Sequence, residues 1–109
     1  MDKAKIVGKI VAWCKENDCS GDMSIYYDDK GLRFDSEGKR EKMLYGVKGS
    51  RYTEYANDET ITMTFEGGLY GALNQHYGSA LMESFTAMLD TEGVYYELGN
   101  AWNLAIYEN

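Results

Sequence analysis

The sequence predicts an α+β fold, a two-layer sandwich in which an antiparallel sheet of five to six strands lies under two helices. Three observations carry this. Apolar residues recur at helical spacing in two segments, 3–16 and 69–90. In the segments between and after them, apolar residues alternate with polar ones, as in strands that bury one face. Mostly short turns separate consecutive strands, which favours hairpins over parallel crossovers. The predicted order is α-β-β-β-(β)-α-β-β, in a single acidic domain over residues 1–109.

In the first helix, 3–16, Ile6, Val7, Ile10, Val11, Trp13 and Cys14 fall on one arc, with Lys5, Lys9, Lys15 and Glu16 opposite. Asp2 is the expected N-cap, and Asn17-Asp18 with Ser20-Gly21 ends the helix. Met23, Ile25 and Tyr27 then alternate with Ser24, Tyr26 and Asp28. A turn is expected at Asp29-Lys30-Gly31, before Leu32 and Phe34 resume the alternation. A second turn at 36–39 leads to a weaker strand, Met43 to Val47, interrupted by Gly46. Residues 49–58 are polar and read as a loop, with RYTEY as a candidate extra strand. Residues 59–66 form the clearest strand: Ile61, Met63 and Phe65 on one face, Thr60, Thr62 and Thr64 on the other.

After Gly67-Gly68 the period becomes helical. Leu69, Leu73, Tyr77, Leu81, Phe85, Met88 and Leu89 form one stripe, and Gly71, Gly78 and Ser79 predict a kink or split near residue 78. Gly93 suits the C-terminal cap, and a hairpin closes the chain. A three-residue loop, Leu98-Gly99-Asn100, aligns Val94, Tyr96, Trp102, Leu104 and Ile106 toward the core. The opposite face then carries Tyr95, Glu97, Ala101, Asn103, Ala105 and Tyr107. A two-residue turn at Gly99-Asn100 would instead make both faces apolar.

Familiar site motifs fail on spacing. Cys14 and Cys19 lack the further ligands of a zinc site. Counted as a calcium loop from Asp28, Lys30 and Arg33 occupy positions that need a ligand and a glycine. FEGGLYG lacks the Lys-Ser/Thr of a phosphate loop, and Glu66 beside it repels phosphate. His76, the only histidine, has Glu83 seven residues away, roughly 10 Å along a helix axis and too far to orient it. No oxyanion hole accompanies a Ser79–His76 pair. No cofactor, metal or enzymatic activity is expected.

Charge is segregated. Residues 1–51 hold all eleven Lys and Arg against nine Asp and Glu, a net of +2. Residues 52–109 hold nine Asp and Glu and no Lys or Arg, a net of −9, for −7 overall. Direct nucleic-acid binding runs on Lys and Arg, so it is disfavoured, and no segment approaches the ~18 apolar residues of a membrane span. The first helix carries four lysines, unlike a signal-peptide core, so a cytoplasmic setting with reduced thiols is expected.

These features predict a small, non-enzymatic, acidic protein-binding module that engages a basic surface of a partner, such as a nucleic-acid-binding protein. The expected contact residues are Tyr52, Glu54, Tyr55, Asp58, Glu59, Tyr95, Glu97, Asn103, Tyr107 and Glu108. Tyrosine supplies contact area at low entropic cost, and carboxylates on a cation-free surface can imitate a phosphate backbone. A sharper version is an inhibitor that mimics nucleic acid, as compact acidic proteins of phages and mobile elements do. The alternative is a ligand-binding or catalytic pocket near His76, Tyr77, Tyr70 and Glu66, between the sheet and the second helix. An edge strand in the last hairpin also makes a homodimer an option.

Overall fold

A computed structural model describes residues 1–109 and shows the expected α+β architecture. Helix α1 (Lys3–Glu16) has the predicted span, and the Asp2 carboxylate caps it by accepting the Lys5 N–H at 3.1 Å. Strands β1 (Met23–Tyr27), β2 (Lys30–Phe34) and β3 (Glu41–Tyr45) follow. After a 3-10 turn at Gly49–Arg51 come β4 (Ile61–Phe65), α2 (Gly68–Leu73), α3 (Ala80–Asp90), β5 (Val94–Asn100) and β6 (Asn103–Glu108). The six strands form one antiparallel sheet in the order β3-β2-β1-β4-β6-β5. Its edges are therefore β3 and β5.

The predicted long helix is two helices, making three in all. Gln75 (φ 60°) and Gly78 (φ 79°) take left-handed backbone and turn the chain out of the helical path. The Asn74 amide fastens this turn, donating at 2.8 Å to both the Tyr70 and Ala101 carbonyls. Tyr77 therefore leaves the apolar stripe and is exposed, its ring folded back over Gly71. Leu69, Leu73, Phe85 and Leu89 remain buried on the stripe.

The core lies between the helices and one face of the sheet. Met23, Ile25, Ile61, Met63, Leu104 and Ile106 meet Ile6, Ile10, Leu69, Phe85 and Leu89 there. The Phe85 ring packs edge-on between Trp13, 5.0 Å away, and Tyr96, 5.4 Å away. Trp13 uses its indole N–H on the Ser84 hydroxyl at 3.0 Å. Lys5 and Lys9 of α1 hold Glu92, which follows α3, at 3.7 and 2.6 Å. Burial pushes the Cys14 and Cys19 thiols above the ordinary thiol range, and both are free.

Two turns sit differently from expectation. The β1–β2 loop is the pair Asp28-Asp29, one residue earlier, with both residues left-handed (φ 49° and 57°) as a tight primed turn requires. Strand β3 begins at Glu41 rather than Met43 and ends before Gly46, whose φ of 69° breaks the ladder. The N–H groups of Gly46 and Val47 then both reach the Asp29 carbonyl.

The closing hairpin keeps the predicted parity with a different register. Its turn is Ala101-Trp102, Asn100 faces Asn103, and a bulge between Leu98 and Asn100 restores the pairs Leu98–Leu104 and Tyr96–Ile106. Without the bulge, Tyr96 would pair with Tyr107 and the two strands would point their apolar residues to opposite faces. Val94, Tyr96, Leu104 and Ile106 thus face the helices as expected. Trp102 does not: it lies in the turn, half-buried and outside the core.

No helix covers the other face of the sheet. Instead residues 46–60 cross it as an irregular strap, and RYTEY adds no strand. Gly49 lies so close to Thr62 that a Cβ there would come within 2.8 Å of it. Asn57 donates its N–H to the Thr62 hydroxyl at 2.9 Å, and the buried Asn103 amide donates to the Thr53 hydroxyl.

Candidate functional site

The strap divides the helix-free face into two hollows. The first lies at the β5 end. Antiparallel pairing places Glu97 beside Ala105 and Tyr95 beside Tyr107, all on the helix-free side. The Tyr95 and Tyr107 rings stack with centroids 5.7 Å apart. Tyr55 descends from the strap onto the bulge: a Cβ on Gly99 would come within 2.2 Å of the Tyr55 Cβ, so glycine is required for this approach. Tyr55, Ala56, Glu97, Leu98, Gly99 and Tyr107 line an open groove of about 300 Å³. Tyr55 is 52% exposed, Leu98 41% and Tyr95 39%. Glu97 is exposed and forms no ion pair within the chain.

Four of the expected contact residues, Tyr55, Tyr95, Glu97 and Tyr107, therefore converge. Glu54 is exposed on the strap next to Tyr55. The others lie elsewhere. Asn103 is fully buried, so the expectation of a surface contact fails. Its side-chain Oδ1 accepts the Asn100 N–H at 2.7 Å while its Nδ2 donates to the Thr53 hydroxyl. Glu108 pairs with Val94 and so points to the helix side, where it lies 3.6 Å from the N-terminal ammonium. Asp58 is exposed but engaged by Ser50 through both N–H and hydroxyl; these bonds, with Lys48 nearby, hold its carboxyl below the usual range. Glu59 is exposed at the strap's exit, its own N–H donating to the Asn57 side chain at 3.1 Å. Tyr52 belongs to the second hollow.

That second hollow, of about 280 Å³, lies over β1 and β2. Ser24 and Tyr26 form its floor, with Arg33 opposite Ser24 on the neighbouring strand. Arg33 donates from Nε to the Ser24 hydroxyl at 3.4 Å and from Nη2 to the Tyr26 hydroxyl at 3.1 Å. Tyr52 stacks on Tyr26 at 4.9 Å, with the Arg33 and Arg51 guanidiniums 5.5 and 5.9 Å from its ring. Trp102, Asp22 and Glu66 also line it, with Phe34, Thr64 and Phe65. Reading by segment missed this site. Its signal is the polar side of the first hairpin, Ser24 and Tyr26 against Arg33, and it appears once the turn is placed at Asp28-Asp29.

The alternative site near His76 gains no enclosure. His76 and Tyr77 are exposed on the turn between α2 and α3, where the imidazole meets the Tyr70 ring edge-on at 5.5 Å. Neither lines the β5 groove or the Arg33 cleft, and Glu66 faces the Arg33 cleft instead.

The acidic residues divide between layers. Glu83 and Asp90 ride on α3, while Glu54 and Glu97 lie on the helix-free side. No helix is long and apolar enough to cross a membrane. Comparison of the chain with family models, with curated proteins and with solved structures finds no match.

Proposed function

We propose that the chain is a non-enzymatic protein-binding module whose contact surface is the groove of Tyr55, Glu97, Leu98 and Tyr107 beside the free edge of β5. One observation carries the proposal: Tyr55, Tyr107 and the unpaired carboxylate of Glu97 converge on an open groove whose lining holds no lysine or arginine. Such a groove fits a basic side chain of a partner, arginine above all. The cation gains from both the tyrosine rings and the carboxylate, while the edge of β5 offers main-chain donors and acceptors to an extended segment. Nucleic-acid mimicry, the sharper form of this reading, would ask for one continuous row of charge. The division of acids between layers instead favours a local basic contact.

The experiment is a titration of a labelled arginine-rich peptide at about 20 mM and about 200 mM salt, conditions that change electrostatic screening several-fold. Affinity should fall with salt. Glu97→Lys and Tyr107→Ala should each weaken binding by about 10-fold or more, in the range of a lost hot-spot contact. Glu83→Lys makes the same change in net charge on α3 and should leave affinity near that of the parent. Equal losses from both charge reversals, or no binding at low salt, would reject the groove as the site.

A further inference from the structure

The Arg33 cleft holds an oriented cation without an anionic partner. A guanidinium has five N–H donors. Two of Arg33's, on the edge that includes Nε, are held by Ser24 and Tyr26, which leaves three directed elsewhere. The chain's six ion pairs use the N-terminus, Lys3, Lys5, Lys9, Lys39 and Lys48, and none uses Arg33, although carboxylates outnumber cations. Packing against Tyr52 further restricts the side chain, so its free edge is set for a planar, two-oxygen anion.

The same cleft rejects a simple dianion. Asp22 precedes β1 and Glu66 follows β4, and these strands pair as neighbours, Met23 with Phe65. The Glu66 N–H donates to the Asp22 carbonyl at 3.2 Å, which brings the two acidic residues together at one end of the cleft. Asp22 stands two residues from Ser24, roughly 7 Å along the strand from the row that carries Arg33. A positive end and a negative end are thus separated by about the length of a small zwitterion with its hydrogen bonds. Trp102 supplies an aromatic wall.

We propose that this cleft binds an α-amino acid with an aromatic side chain, its carboxylate on Arg33, its ammonium toward Asp22 and Glu66, and its ring against Trp102. The site is separate from the groove at β5, and its occupation does not depend on the partner-binding function. The volume, near the lower end of the ~300–1,000 Å³ usual for ligand sites, suits a molecule of this size.

The test is an NMR titration of the whole chain with L-phenylalanine, following the Trp102 indole and Arg33 Nε signals. Comparators are 3-phenylpropionate, which lacks the ammonium, and phenethylamine, which lacks the carboxylate. Phenylalanine should saturate the shifts with Kd below about 1 mM, and each comparator should bind about 10-fold more weakly or worse, as expected when a charged group is left unpaired. Arg33→Gln should abolish binding, and Arg33→Lys, which keeps the charge and loses the fork, should weaken it by about 5-fold or more. The Lys variant decides the matter if the Gln variant is poorly folded. No saturation, comparators as tight as phenylalanine, or undiminished binding by the Lys variant would overturn the proposal.

Discussion

The side-chain amide of Asn103 donates to the hydroxyl of Thr53, joining residues fifty positions apart beneath the strap. Both are buried, and the other end of the Asn103 side chain holds the Asn100 N–H at 2.7 Å. One residue thereby ties the strap, the last turn and β6 together. Asn103→Ala leaves the Thr53 hydroxyl and the Asn100 N–H short of a partner and opens a small void. It should cost about 2–3 kcal/mol in urea unfolding, with an unchanged m-value.

Gly99→Ala tests the contact that shapes the β5 groove. The new methyl would fall 2.2 Å from the Tyr55 Cβ and 2.8 Å from the Asn103 Oδ1, so the strap must move away. Overpacking of this kind costs about 1–3 kcal/mol. The Tyr55 ring signals should shift in NMR spectra, while those of Phe85 and Trp13, on the far side of the sheet, should stay in place.

Phe85 is the keystone of the helix layer, fully buried between Trp13 and Tyr96. Phe85→Ala should destabilise the fold by about 3–5 kcal/mol, the usual range for a buried ring replaced by a methyl. Phe85→Leu should cost markedly less, because it leaves a smaller void. Denaturant unfolding of the pair separates lost volume from lost ring contacts.

Glu92 sets an acid limb to stability. Its hydrogen bond with Lys9, with Lys5 nearby, lowers its pKa below the ordinary glutamate value in the folded chain. A lowered folded pKa contributes stability that is fully present above the unfolded value, about 4.3, and is lost as the pH falls through the folded one. Glu92→Gln should therefore lower Tm at pH 7, and the difference from the parent should close as the pH drops below about 4. Measurements in high salt should shrink the difference as well, since both lysines are substantially exposed.

The legible parts of the fold were those governed by local periodicity. The arc from Ile6 to Cys14 and its Asp2 cap placed α1, and Ile61, Met63 and Phe65 placed β4 and its buried face. Parity also assigned Tyr96 and Ile106 to the core and Tyr95, Glu97 and Tyr107 to the opposite side. What escaped depended on single residues in unusual backbone or on contacts distant in sequence. Gln75 at φ 60° takes a conformation that its residue type does not advertise, so Tyr77 was placed on the stripe it leaves. Gly99 has the residue type of a turn, although it is a bulge two residues before one. Asn103 looked like a surface residue because its cover, Thr53 and the strap, comes from another part of the chain. Residue type alone marks Tyr55 and Glu97 as contact residues, and tertiary packing brings them to one groove. The same packing sent Glu108 to the other side of the sheet.

Strand β6 follows every other element in sequence, yet it lies inside the sheet, between β4 and β5. During synthesis a chain that has reached Gly93 holds four strands, and β4, the most apolar of them, is the open edge. Its main-chain groups wait for Asn103–Glu108 to emerge, so the sheet is completed only after α2, α3 and β5 have been made. Sheets completed by pairings this distant in sequence close slowly, and an uncovered apolar edge invites pairing with another nascent chain. Yield of native protein should therefore depend on the synthesis rate of the final hairpin, and the β4 edge is the place where misassembly would begin.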